Sequence, residues 1–108
     1  MNSQRIQQLR SFLEETPDDP FLLYALALEY RDGKPDDAAQ LFANLLSDHP
    51  DYLATYYHAA ALFSDLGNRD HAEEIYQKGI VLAKRQNASL ALRELQNAYS
   101  QFQFEEDD

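Results

Sequence analysis

Three histidines, His49, His58 and His71, and nineteen acidic residues are the side chains of this sequence that could hold a metal or move a proton. Two ligands on one helix face must stand about one turn apart, at i and i+4. No pair of these histidines does: His49 falls in a loop, His58 within one helix-forming stretch and His71 at the start of the next. The carboxylates Asp18, Asp19, Asp36, Asp37 and Asp51 gather near helix starts, where a carboxylate accepts orphan amide hydrogens and opposes the helix dipole. Capping explains them better than acid–base catalysis. The run Asp32 to Asp37, DGKPDD, brings acids together without the ligand spacing or closing glutamate of a calcium loop. There is no cysteine, hence no thiolate nucleophile or thiolate metal site. No glycine loop could cradle a phosphate, and no serine stands in a nucleophile elbow. The expectation is a protein that is not an enzyme and carries no metal or cofactor.

What remains is the chain that would position a binding surface. At 108 residues it is one domain, able to bury roughly two-thirds of its unfolded surface. Apolar residues make up 44% and aromatic residues 12%, so the acidity does not signal disorder. The net charge of −10 repels nucleic acid and anionic membrane surfaces. The N-terminus MNSQRIQQLR is polar, and no run approaches the ~18 apolar residues of a spanning helix. Together with the lack of cysteine, which suits a reducing compartment, this points to a cytoplasmic domain with neither nucleic acid nor membrane as partner.

Helical periodicity runs almost throughout, with no alternating strand pattern. Ile6, Leu9, Phe12 and Leu13 form a stripe before Pro17. Asp19 and Pro20 open a second helix through Leu22, Leu23, Leu26 and Tyr30, ending at Gly33. Pro35 opens a third, with Ala38, Leu41, Phe42, Leu45 and Leu46, up to Pro50. A fourth runs from about Asp51 to Leu66 and closes on Gly67. Asn68 caps a fifth, carrying Ala72, Ile75, Tyr76, Gly79, Ile80 and Leu82. The last, from about Ala88 to Phe102, aligns Ala91, Leu95, Ala98 and Phe102. Six helices joined by short loops predict antiparallel neighbours.

The chain also repeats itself. Laying the second and third helices over the fourth and fifth pairs Leu23 with Tyr56, Ala27 with Ala60, Tyr30 with Phe63, Ala38 with Ala72, and Phe42 with Tyr76. Helices cross closely only where side chains are small, and rings then fill the grooves beside the crossing. Gly67 supplies the turn, Ala72 and Gly79 admit a neighbouring backbone, and Tyr76 fills the space beside them. This pattern resembles the tetratricopeptide repeat, a helix-turn-helix unit of about 34 residues. Residues 53–86 resemble one full repeat, with Lys84 in place of the closing proline. Residues 20–52 resemble another, one residue short between Tyr30 and Ala38, which displaces Gly33. Residues 3–17 resemble the second helix of a half repeat, residues 88–103 form a C-terminal capping helix, and 104–108 an acidic tail. The resemblance covers about three-quarters of the chain and implies an all-α, solenoid-like stack of antiparallel helix pairs.

Polar faces at both ends, Gln4, Gln7, Gln8 and Ser11 on one and Arg93, Gln96, Asn97 and Gln103 on the other, suit the caps that stacked repeats need. A complete short array is expected rather than a piece trimmed from a longer one. In the family, function lies in a concave groove lined by the first helix of each repeat. The resemblance places Phe21, Tyr24, Leu28 and Arg31 there from one unit, and Ala54, Tyr57, His58, Ala61 and Ser64 from the next. Rings with a lone cation suit an apolar or aromatic peptide; alternatively Tyr24 and Tyr57 merely cover their helix pairs. Members that hold acidic chaperone tails use a lysine and asparagine cluster where this chain has Tyr24, Ala25, Tyr57 and His58. That clamp is absent, and an acidic tail would meet an acidic protein.

Two readings of function follow. The first is a protein–protein interaction module binding a peptide segment of a partner in the groove. The second is a structural or self-assembly unit, a homodimer or larger homo-oligomer made through the same surface or through the C-terminus. There QFQFEEDD is either a frayed, solubilising helix end or a segment whose Phe102 and Phe104 dock into a neighbouring copy.

Overall fold

The computed structural model describes residues 1–106, which form six α-helices and no strand: α1 (Ser3–Glu15), α2 (Pro20–Tyr30), α3 (Pro35–Asp48), α4 (Ala54–Asp65), α5 (Arg69–Arg85) and α6 (Ser89–Glu106). Three of these helices start on a side chain that relieves the unpaired amides of the first turn. Asn2 accepts from the Arg5 amide, Asp19 from those of Phe21 and Leu22, and Asn68 from that of His71. α3 has no such cap, and there Pro35 removes one amide while Asp36 and Asp37 occupy the first turn. α4 begins three residues later than expected, because the Tyr52 amide bonds to the His49 carbonyl and turns residues 49–52 outside the helix.

The chain divides into two compact units, Met1–Thr55 and Tyr56–Asp108. In the first, α1 and α3 both pack on α2. α2, PFLLYALALEY, is therefore apolar on nearly every side, with Glu29 as its one charged residue, as suits a helix with neighbours on more than one face. Its Ala25, Leu26, Ala27 and Tyr30 are buried, as are Ile6 and Leu9 of α1 and Ala38, Phe42 and Leu45 of α3. Polar ties hold α1 in place: Arg5 pairs with Glu29 at 3.1 Å, and Arg10 donates to the Tyr30 hydroxyl. Phe12, expected in the α1 stripe, is exposed. At 3.6 residues per turn it lies about 120° around the helix from Ile6, off the buried face.

In the second unit Ala59, Ala60, Ala72 and Ala83 have no exposed surface, and Tyr56, Ile75, Tyr76, Leu82, Leu95 and Phe102 complete the core. Gly79 is buried where a Cβ would stand 2.8 Å from the Tyr56 Cβ and 3.4 Å from a Leu95 methyl. The close approach is thus made by the stem of a side chain rather than by a neighbouring backbone.

The turns differ in kind. α4 ends with the Gly67 amide on the Ser64 carbonyl and the Asn68 amide on that of Phe63, with Gly67 at φ +86°. α5 ends in the same pair of hydrogen bonds, from the Asn87 amide to the Lys84 carbonyl and the Ala88 amide to that of Ala83, with Asn87 at φ +56°. Both are Schellman closures, which need a left-handed residue. α2 does not close this way. It ends at Tyr30, ahead of the expected Gly33, and the Lys34 amide returns to the Tyr30 carbonyl. Gly33 has no left-handed φ. Its missing Cβ leaves room for the Met1 sulfur, which would lie 3.0 Å away.

Gly79→Ala separates space from helix propensity. At an open helical site the change gains about 1 kcal/mol, but here the added methyl meets a Tyr56 atom that cannot swing aside. The expected result is a net loss of roughly 1–3 kcal/mol in urea unfolding followed by circular dichroism; a raised midpoint would contradict the packing.

Candidate functional site

The residues expected to bind a partner fall on two helices, one in each unit. On α2, Phe21, Tyr24 and Leu28 recur at spacings of three and four, and Arg31 follows at the C-cap. They share a face because neighbouring turns of a helix superpose. Phe21 is 57% exposed, while Tyr24 and Leu28 are half-buried. Tyr24 meets Tyr52 edge-on, with centroids 5.8 Å apart. Burial holds the Tyr24 phenol above the ordinary tyrosine value and Tyr52 adds to this, whereas Arg31 pulls the other way. Tyr52 is raised too, by burial and then by Asp19. Arg31 is exposed, its Nε 3.8 Å from Asp32. Ala54, also in this unit, is exposed.

Tyr57, His58, Ala61 and Ser64 of α4 belong to the second unit. Tyr57 is 40% exposed and meets His58 edge-on at 5.2 Å. Tyr57, Ala61 and Ser64 form one wall of an open cleft of about 210 Å³, which His58 does not line. Sequence reasoning missed the rest of that cleft. Asp65 extends the α4 wall, Tyr76 of α5 contributes a largely buried ring, and Ala98, Gln101, Phe102 and Glu105 of α6 face them. A signal was present: Ala98 and Phe102 align on the inner side of the last helix, and Gln101 and Glu105 follow at spacings of three from Ala98 and Phe102.

Rings of α5 and α6 build the cleft from behind. Tyr76 lies 5.8 Å from Tyr99 and 5.5 Å from Phe102, centroid to centroid. The Gln77 amide nitrogen donates to the Tyr99 hydroxyl at 2.9 Å. Arg69 covers Phe102, its guanidinium 4.1 Å from the ring centroid, and donates to the Phe102 carbonyl at 2.9 Å and to the Ser64 hydroxyl at 3.3 Å. Phe102 is only 3% exposed. It is spent inside its own unit and is not available to dock into a neighbouring copy. The helix carrying it continues to Glu106, and Phe104, on the opposite side, is 74% exposed. Burial raises the Tyr76 phenol above the ordinary tyrosine value, and Tyr57, Glu105 and Asp65 each add to the effect.

The histidines find structural company. His49 Nε2 lies 2.9 Å from Asp18, and His71 meets Phe63 edge-on at 4.5 Å. Among the described residues no group of three or more His, Asp or Glu could hold a metal ion, and no helix is long and apolar enough to cross a membrane.

Two tests address this site. Phe102→Ala should cost about 3–5 kcal/mol and Phe104→Ala no more than about 0.5, read from chemical denaturation; equal effects would place both rings alike. The Tyr76 shift fixes a pH dependence. Folding favours its neutral form, so the stabilisation is complete below about pH 10, the unfolded value, and drains away as pH rises through the higher folded value. Tyr76→Phe should flatten the alkaline loss of stability, with phenolate absorbance reporting the titration.

Residues 29–93 match the tetratricopeptide repeat family model. The chain is similar to the crystal structure of a tetratricopeptide repeat domain protein from Salinibacter ruber at 37% identity and a TM-score of 0.75, over 80% of this chain and 97% of that one. A solution NMR structure of a tetratricopeptide repeat domain protein from Salinibacter ruber aligns at 38% identity and a TM-score of 0.74, over 80% of this chain and 88% of that one. Among curated proteins none matches.

Proposed function

The chain belongs to the tetratricopeptide repeat family, whose domains mediate contacts between proteins, and on that premise we propose that it is a non-catalytic module that binds a peptide segment of a partner protein. The observation that carries this reading is the exposure of large rings on the first helix of each repeat. Phe21 on α2 and Tyr57 on α4 present aromatic area to solvent, and aromatic residues are the commonest energetic anchors of protein interfaces. Beside them Leu28 and Arg31 on α2, and Ala61 and Ser64 on α4, offer apolar and polar contacts. The partner class is protein rather than nucleic acid or anionic membrane, because a net charge of −10 opposes both. A chain without cysteine suits the reducing cytoplasm, the compartment in which this reading places it.

Self-assembly is the second reading, and exposed Phe104 is the residue that favours it. A pull-down from the source lysate separates the two, with the intact protein and Tyr24→Ala plus Tyr57→Ala as parallel baits. The module reading expects a protein held by the first bait and lost by the second while both remain helical. Recovery of only further copies of the chain by both baits would instead favour self-assembly.

A further inference from the structure

The cleft of the second unit has a composition that selects its occupant. Its floor is aromatic, from Tyr76 and Phe102, and its rim carries two carboxylates, Asp65 from α4 and Glu105 from α6. Among the described residues neither carboxylate belongs to an ion pair. Tyr76 is 5% exposed yet lines the cleft, and among the described residues its hydroxyl has no hydrogen-bond partner. The hydroxyl itself is not sealed from solvent, so its unused donor and acceptor positions can be reached from the cleft that Tyr76 lines. Asp65 and Glu105 line the same cleft as Tyr76, and both add to the burial that holds its phenol above the ordinary tyrosine value.

We infer, on the interaction reading above, that this cleft receives the cationic side chain of a partner peptide, an arginine guanidinium or a lysine ammonium. Such a group has what the cleft lacks. It donates several hydrogen bonds without needing to accept any, so it can satisfy the carboxylates and the Tyr76 hydroxyl together. Its flat or compact head also rests favourably against a ring, and Tyr57, 40% exposed in the same lining, offers one. The protein's own Arg69 is not in the lining; it is turned to the Ser64 hydroxyl, the Phe102 carbonyl and the Phe102 ring. It pairs with neither rim carboxylate, so the rim keeps its acidic character. The overall charge of −10 draws a basic segment towards the protein before contact.

The test uses the intact, isotope-labelled protein and three tripeptide amides, acetyl-Gly-X-Gly, with X as arginine, lysine or citrulline, followed by amide chemical shifts. Citrulline keeps the shape of arginine without its charge. The arginine and lysine peptides should shift Tyr57, Ser64, Tyr76 and Gln101 together, and citrulline should bind roughly tenfold more weakly. Asp65→Asn with Glu105→Gln, both exposed sites, should weaken the charged peptides roughly five- to tenfold while helicity is unchanged. Tyr76→Phe should weaken them further without abolishing the fold. Equal binding of citrulline and arginine, or shifts scattered over the acidic surface, would overturn the inference. So would a partner that survives Asp65→Asn with Glu105→Gln but is lost on Tyr57→Ala, a result that leaves the peptide-binding module standing. A partner lost to neither change removes both.

Discussion

How near two helices can approach is set by the smallest side chains between them, and in the second unit that distance is fixed at Gly79. The absent Cβ lets the stem of Tyr56 lie where any other residue would collide with it, and Leu95 of α6 closes on the same point. The other close contacts of this unit build on that approach. Ala59, Ala60, Ala72 and Ala83 bury completely because nothing holds their helices apart, and the volume not used at these crossings is filled by Tyr56, Tyr76 and Phe102. Small residues at crossings and rings beside them are two halves of one packing requirement. The cleft is the place where a ring, Tyr76, reaches the edge of the packed region instead of its middle.

Much of this was legible in the chain because repetition amplifies weak signals. One alanine in a helix means little, but Ala27 with Ala60 and Ala38 with Ala72, each at the same step from a ring, specify a crossing twice. All four have no exposed surface. Starts were readable from Asp19, Pro20, Pro35 and Asn68, since capping is a local property of a few residues. Ends were harder. A glycine in a turn reads as a left-handed closure, and Gly67 is one, but Gly33 serves a packing contact instead, and the same backbone role at the end of α5 falls to Asn87. The missing residue between Tyr30 and Ala38 accounts for this: that turn returns the Lys34 amide directly to Tyr30 and has no place for a left-handed residue.

The candidate site was legible in part. Positions on α2 and α4 follow from the family pattern, and exposure of Phe21 and Tyr57 accords with their lying outside the core. The α6 wall was hidden by the label of a cap, which directs attention to the polar outer face of a terminal helix. The inner face of that helix is as much a wall as that of any repeat. Phe102 carried two readings, an inward place in the stripe with Leu95 and Ala98 and a free ring that docks into a neighbouring copy; a helix that continues to Glu106 carries it over Tyr76, and the inward place is the one it takes.

Arg69 stands at the first position of α5, where a positive charge opposes the dipole of its own helix. α6 has no basic residue in its last turn, where one would be favourable. Because the two helices run antiparallel, with Arg69 against Phe102 and Gly79 against Leu95, the charge that is misplaced for one helix is well placed for the other. Asp70 in the same turn offsets part of that penalty within α5, and the contacts to Ser64 of α4 and Phe102 of α6 offset more of it. The arginine therefore acts as a term in the cooperativity of the stack: it weakens a solitary helix and strengthens the pair, which narrows the population of half-assembled forms between the unfolded chain and the complete unit.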